Sequence, residues 1–147
     1  KRHPRALLFG LDISDQMLIS ARRKLDGAAR LAQADACSFD PEALFGEAEF
    51  DHIVFSYSLS MIPDWQAAMD EAMRHLAPGG TLHVVDFGDQ GRLPGWFKTG
   101  LRAWLARFHV APRDTLGAAM QDMAAGAGTL TGHSLYRGYA IYGCLTR

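Results

Sequence analysis

Over residues 6–87 the sequence alternates strand-length apolar runs with segments whose apolar residues recur at helical spacing. That alternation predicts βαβ units and a parallel sheet, because parallel strands need a crossover long enough to hold a helix. The first run is Ala6-Leu7-Leu8-Phe9-Gly10-Leu11-Asp12. Ser14 then caps a helix carrying Met17, Leu18, Ala21 and Leu25, and Gly27 ends it. Arg22, Arg23 and Lys24 sit in its last turn, where the helix dipole favours cations. A second strand covers residues 30–34, and Asp40-Pro41 opens a helical turn through Leu44 and Phe45. A third strand covers residues 50–56 and runs into Tyr57-Ser58-Leu59-Ser60-Met61-Ile62-Pro63. Asp64 caps the next helix, whose stripe is Trp65, Ala68, Met69, Ala72 and Leu76. Pro78-Gly79-Gly80 stops it, and a fourth strand follows over residues 81–87.

The last third changes pattern. Residues 94–108 and 114–125 read as two helices, the first of them amphipathic. Residues 129–136 and 139–146 read as strands around Arg137-Gly138, so the sheet ends on an antiparallel hairpin. No repeat, low-complexity tract or linker divides the chain, which predicts one domain over residues 1–147. The opening Lys1-Arg2-His3-Pro4 is basic and leads straight into a strand. It reads as the tail of an upstream helix and loop, so the domain is expected to be incomplete at its N-terminus.

Composition excludes several classes. Hydrophobic residues make up 48% of the chain, enough for a packed core. A net charge of −1 offers no electrostatic footprint for nucleic acid. Cys37 and Cys144 stand far apart without a CxxC partner, and the six histidines show no ligand spacing, so neither a disulfide framework nor a structural metal is expected. A reducing cytoplasm is the expected setting. No run approaches the ~18 apolar residues of a membrane span, and no signal peptide opens the chain.

In open parallel sheets, ligands bind outside the carboxyl ends of the strands. Asp12 ends the first strand, and its two acceptor oxygens suit the paired hydroxyls of a ribose. The same residue also suits a plain cap on the following helix. Asp35, with Ala36 and Cys37 after it, ends the second strand. Its carboxylate can accept from an adenine amino group while the next backbone N–H donates to the ring; an acid opening a loop is the plainer reading. The pair is more informative than either alone, because ribose and adenine are covalently joined and need adjacent readers. The hydroxyl-rich segment 56–63 is longer than an ordinary strand-to-helix loop and lacks Gly and Asn. It is expected to face the cleft.

Gly10-Leu11-Asp12-Ile13-Ser14-x-x-Met17, Ala34-Asp35-Ala36, Phe50-Asp51 and Leu76-Ala77-Pro78-Gly79-Gly80-Thr81-Leu82 resemble, in order and spacing, the successive motifs of class I S-adenosylmethionine-dependent methyltransferases. The terminal hairpin is similar to that family's antiparallel last strand. More narrowly, Ser56-Tyr57-Ser58-Leu59-Ser60-Met61-Ile62-Pro63, Val84-Val85-Asp86-Phe87, Trp96-Phe97 and Trp104-Leu105-Ala106-Arg107-Phe108-His109 resemble the betaine-lipid methyltransferases, which N-methylate diacylglycerylhomoserine. The resemblance implies an α/β, Rossmann-like, mostly parallel sheet and S-adenosyl-L-methionine as cofactor. It implies that Asp12 holds the ribose, that Ile13 and Met17 pack on the adenine, and that Asp35 and Ala36 read its edge. It places Ser56 near the methionine part, and Tyr57, Ser60 and Met61 at the acceptor.

One departure matters. The family's glycine-rich loop follows a first strand, and no Gly-x-Gly precedes Gly10 here. Gly79-Gly80 precedes a strand and cannot replace it. The sheet is therefore expected to lack that strand between those ending at Asp12 and Ser56, leaving a gap of about two strand spacings, ~10 Å, with two unpaired inner edges. The chain by itself is not expected to be active.

A sulfonium methyl is already strongly electrophilic, so the protein mainly aligns a nucleophile and excludes water. A head-group amine, with a pKa of about 7.7–8.0, keeps a usable neutral fraction. Tyr57 is the expected catalytic residue, steering the amine or relaying its proton. Aromatic faces at Tyr57, Trp65 and Trp96 can hold the product cation, although core packing is the first expectation for both tryptophans. Asp86-Phe87-Gly88 spells a kinase triplet, yet the other kinase motifs are absent. Other readings are a methyltransferase for a soluble small molecule, a degenerate non-catalytic module, and a nucleotide-dependent oxidoreductase, for which Asp12 would also serve. Finally, Phe97, Leu101, Trp104, Leu105 and Phe108 form a stripe accompanied by Arg92, Lys98, Arg102, Arg107 and Arg113. Peripheral membrane contact through residues 92–113 is one expectation; packing of the stripe on the sheet is the other.

Overall fold

In a computed structural model, residues 6–147 are described, and strands and helices alternate in the expected order. The basic opening at Lys1–Pro4 lies outside the described residues. The elements are β1 (Phe9–Asp12), α1 (Asp15–Leu25), β2 (Arg30–Gln33), α2 (Pro41–Phe45), β3 (Phe50–Ser56), α3 (Trp65–Arg74), β4 (Leu76–Phe87), α4 (Gly95–Ala106), α5 (Leu116–Ala127), β5 (Thr129–Leu135) and β6 (Ala140–Thr146). The capping residues act as their types require. Ser14, Asp40 and Asp64 accept from the backbone N–H groups of Met17, Ala43 and Ala67.

One boundary differs from expectation. Leu76 belongs to β4, and the strand passes through Pro78-Gly79-Gly80. Pairing explains this. Phe50 N–H donates to the His75 carbonyl at 2.8 Å, and Phe50 lies opposite Leu76. The register then shifts between Phe50 and His52. A Cβ at Gly80 would lie 3.1 Å from the Asp51 carbonyl oxygen, so only glycine lets the two backbones approach there.

The strands form two sheets, β1-β2 and β3-β4-β6-β5. β1-β2 and β3-β4 pair in parallel, while β6 runs antiparallel to both β4 and β5. As expected, the sheet is split between β1 and β3, and it does not close by pairing them. At the N-terminal end of the split the rings of Phe9, Phe45 and Phe50 meet, with Phe9 5.1 Å from Phe45 and 5.5 Å from Phe50.

The core lies on one face of the larger sheet. Trp65, Ala68, Met69 and Ala72 of α3 and Leu116 and Met120 of α5 pack with Leu59, Leu76, Leu82, Val84 and Leu145. Each large side chain so buried contributes about 1.5–3 kcal/mol. The opposite face is polar: His52 Nδ1 meets Thr81 Oγ1 at 2.7 Å, Thr81 meets His83 Nε2 at 3.0 Å, and His83 Nδ1 meets Tyr142 OH at 2.9 Å. Val54 on that sheet is 63% exposed. Parallel strands are ordinarily covered on both faces, so the described residues cover this sheet on one side only.

Packing of the α4 stripe on the sheet is not what the structure shows. Among Phe97, Leu101, Trp104, Leu105 and Phe108, only Leu105 is buried, and Phe97, Trp104 and Phe108 are exposed. Among the described residues no helix is long and apolar enough to cross a membrane.

Candidate functional site

The carboxyl ends of β1, β2, β3 and β4 carry nearly all the residues singled out from sequence. Asp12 ends β1 opposite Gln33 of its paired strand β2, and Asp35 follows two residues after Gln33. Asp12 Oδ1 accepts from Ser14 N–H at 2.8 Å, so the carboxylate does cap the α1 entry. Its Oδ2 has no hydrogen-bond partner among the described residues and remains available to a hydroxyl. Beside it, Ile13 and Met17 are exposed apolar side chains at the start of α1. Two large apolar groups left in water next to a half-satisfied carboxylate form a surface suited to a ring with a sugar attached. Gln33 Nε2 donates to the Ile13 carbonyl at 3.0 Å, holding this rim in place.

Asp35 is exposed and accepts from Cys37 N–H through Oδ1 at 2.9 Å. Ala36 is half-buried between them. Cys37 Sγ meets the Asp64 carbonyl at 3.3 Å, tying this loop to the start of α3. Burial, then the neighbouring Asp35, Asp64 and Glu71 charges, push the Cys37 thiol up, so it stays protonated.

Ser56 and Tyr57 stand at the end of β3, on the far side of the split. Tyr57 N–H donates to the Val85 carbonyl at 2.8 Å, and its backbone adopts a left-handed conformation with φ 53°. Such a conformation is costly for a bulky residue and is held by its surroundings. The Tyr57 ring meets Phe87 edge-on at 5.1 Å, and Phe87 meets Tyr139 at 5.7 Å. Burial, then the hydroxyls of Tyr139 and Tyr136 and the charge of Asp86, push the Tyr57 phenol up. Tyr57 is therefore a neutral hydrogen-bonding group at physiological pH, not a base.

The loop after Tyr57 is fixed from behind. Asp86 is buried, and its Oδ2 accepts from Ser60 N–H at 3.0 Å while Oδ1 accepts from Phe87 N–H at 2.7 Å. Arg113 donates to the carbonyls of Leu59 at 3.1 Å and Ile62 at 2.6 Å, and Ala111 N–H donates to Ser60 O at 2.9 Å. Two sequence expectations change here. Ser60, expected at the acceptor, is 1% exposed because its backbone anchors the loop to Asp86 and Ala111. Trp65 is core, packed with Met69 and Leu59, as its plainer reading expected. Met61 is exposed, and Trp96, expected in the core, stands on the outside of α4. Asp86-Phe87-Gly88 has a structural origin: a Cβ at Gly88 would collide with the Gly138 carbonyl, so glycine is needed for the hairpin to approach.

The sequence did not mark Phe87 as the ring neighbour of Tyr57, nor Tyr139 as the ring beyond Phe87. The signal was the hairpin: antiparallel return of β6 on β4 sets Phe87 opposite Ala140, next to Tyr139. It also missed Arg113 and the buried Gln90, whose Oε1 accepts from Arg102 Nε at 3.0 Å. Ser60 Oγ and Gln90 Nε2 are buried without a partner among the described residues.

This arrangement can hold an adenosine-like group at β1 and β2 and present a reacting atom beside Tyr57. The donor set fits the adenosine half of S-adenosylmethionine: an unpaired carboxylate oxygen, two exposed apolar side chains and an adjacent acid. Among the described residues, no glycine-rich turn approaches its methionine half. A family model described as a methyltransferase domain matches residues 1–84. A ubiquinone/menaquinone biosynthesis C-methyltransferase from Roseobacter denitrificans is 36% identical over 78 residues, covering 52% of this chain and 31% of that relative. The chain thus spans about a third of that curated relative's length. Among solved structures, an S-adenosylmethionine-dependent methyltransferase from Mesorhizobium loti superposes with a TM-score of 0.69 at 18% identity, covering 99% of this chain and 82% of that one. The N-methyltransferase NodS from Bradyrhizobium japonicum in complex with S-adenosyl-L-homocysteine gives a TM-score of 0.64 at 20% identity, covering 96% and 66%.

Proposed function

The chain belongs to the methyltransferase-domain family, and from that membership we propose that its protein transfers a methyl group from S-adenosylmethionine to an amine nitrogen of a lipid head group. The observation that carries the cofactor half is Asp12, with one carboxylate oxygen unpaired beside exposed Ile13 and Met17. Asp12 holds the ribose hydroxyls, Ile13 and Met17 cover the adenine, and Asp35 with Ala36 reads its edge. Ser56 adjoins the methionine part. When bound, the cofactor supplies a methyl group activated by its sulfonium.

The acceptor half rests on Tyr57. Its phenol, held neutral, accepts a hydrogen bond from an incoming amine and fixes the direction of the lone pair. The Tyr57–Phe87–Tyr139 group offers ring faces that attract a nitrogen becoming cationic. No strong base is needed, because an α-amine loses its proton to water near neutral pH. Met61 and the anchored loop shield the reacting atoms.

A second reading has one observation behind it: the Roseobacter relative is named as a C-methyltransferase of quinone biosynthesis. Methylating a ring carbon requires a base to take the ring hydroxyl's proton. Asp86, the acid nearest Tyr57 in its effect, is buried with both oxygens engaged by backbone N–H groups. That favours the amine. The test supplies full-length protein and S-adenosylmethionine with either diacylglycerylhomoserine or demethylmenaquinol, and reads products by mass spectrometry. N-methylated lipid is the expected product. Methylation of the quinol with none of the lipid would overturn the amine assignment and keep methyl transfer.

A further inference from the structure

α4 is built inside out for a surface helix in water. Surface helices normally turn apolar residues inward and charges outward. Here Trp96, Phe97, Gly100 and Trp104 share one outward arc of about 100°, and Trp96 is 78% exposed. Trp104 is 57% exposed, and its ring meets exposed Phe108 at a tilt, 5.0 Å away. Lys98 and Arg102 point the other way. Lys98 Nζ donates to the Asp89 carbonyl at 2.8 Å, and Arg102 reaches Gln90 and pairs with Asp114, with Nη1 3.1 Å from Oδ2. The helix is thus pinned by two cations and Leu105, and it displays its aromatics.

We propose that this outer face of α4, Trp96-Phe97 and Trp104 with Phe108, flanked by Arg92 and Arg107, seats the protein on an anionic lipid bilayer. The charge pattern selects that occupant. No Asp or Glu occurs from Gln90 to Arg113. The acids bordering the stretch are engaged: Asp89 accepts from Gly91 N–H, and Asp114 holds Arg102. Arg92 and Arg107 are exposed and make no ion pair or side-chain hydrogen bond among the described residues. Arg107 falls between the aromatics on the helix circumference. Buried against a second protein it would be a desolvated, unpaired cation, whereas at a bilayer surface it meets lipid phosphate while the tryptophans take the interfacial level they favour.

The chain that leaves this helix reaches the candidate site. The segment after α4 holds the Tyr57–Pro63 loop through Ala111 to Ser60 and through Arg113 to Leu59 and Ile62. A head group leaving the bilayer would meet exposed Met61 and then Tyr57. Of the five cations that accompany the stripe, the structure leaves Arg92 and Arg107 for lipid, because Lys98, Arg102 and Arg113 are used internally.

This inference deepens the lipid reading above, and flotation tests it without methyl transfer. Full-length protein is mixed with vesicles of phosphatidylglycerol and phosphatidylcholine, or of phosphatidylcholine alone, at low and high salt. Protein should float with the anionic vesicles and be released by salt. Arg92→Gln with Arg107→Gln should weaken partitioning by roughly twenty-five-fold, at about a factor of five for each cation. Trp96→Ser with Trp104→Ser should abolish flotation while circular dichroism and S-adenosylhomocysteine binding match wild type. Wild type that stays below the gradient at low salt would overturn the proposal. So would a Trp96→Ser/Trp104→Ser variant that floats like wild type, or one whose only change is loss of a dimer in sedimentation. Vesicle binding without methylation of a lipid amine would sink the acceptor assignment and leave this surface standing.

Discussion

Tyr57 combines three local features: a left-handed backbone at the end of a parallel strand, a phenol pushed up by burial and by its neighbours, and ring contact with Phe87. A tyrosine placed for packing alone has no need of a strained backbone at the mouth of a sheet. Tyr57→Phe keeps the ring and removes the hydroxyl. It should slow turnover by about three- to tenfold, the worth of one neutral hydrogen bond, and leave the dissociation constant of S-adenosylhomocysteine unchanged. Steady-state kinetics beside titration calorimetry separates the two, and unchanged turnover would make Tyr57 a packing residue. At this scale the placement of Asp12, Asp35 and Tyr57 was legible from the strand pattern: Asp12 ends β1, and Asp35 and Tyr57 lie just beyond β2 and β3. Ser60 was misread, because a hydroxyl in a loop does not reveal that its own backbone is bound to Asp86, 26 positions away.

Among the elements, α3 shows how a buried acid can serve structure alone. Glu71 is 6% exposed, and it accepts from Phe39 N–H at 3.2 Å, from His75 Nε2 at 3.2 Å and from Arg74. Burial pushes its carboxyl up, but these hydrogen bonds together outweigh burial and hold it below the ordinary range. A carboxyl lowered in the folded state stabilises fully above its unfolded value and loses that contribution as pH falls through the folded value. Glu71→Gln should therefore lower the melting temperature at neutral pH, and its deficit should shrink once pH drops below about 4.3, the ordinary glutamate value. A deficit independent of pH would contradict this account. Element boundaries set by local chemistry, such as the Ser14, Asp40 and Asp64 caps, were legible in sequence. The start of β4 was not, because Leu76 is drawn into the sheet by pairing with Phe50 across the fold. The orientation of α4 was not either: periodicity identifies a stripe, whereas Lys98 and Arg102 decide which side faces inward, through partners that sequence spacing does not reveal.

At the scale of the molecule, the split between β1 and β3 divides the site. One side carries Asp12, Asp35 and the exposed Ile13 and Met17, the other an aromatic group and a rigid loop, and the Cys37–Asp64 contact joins them. Strand order was legible only through the resemblance, since alternation alone does not say which parallel strands are neighbours. The acceptor was not legible in the same degree, because acceptors change with loops on one fold. The central claim is that this scaffold holds the adenosine of S-adenosylmethionine through Asp12. Titration of S-adenosylhomocysteine and of NADH into full-length wild type and into Asp12→Ala tests it most directly. The account predicts binding of S-adenosylhomocysteine in preference to NADH, and a roughly ten- to hundredfold weaker dissociation constant in the variant with an unchanged melting curve. Equal affinity in the two proteins, or preference for NADH, would contradict it.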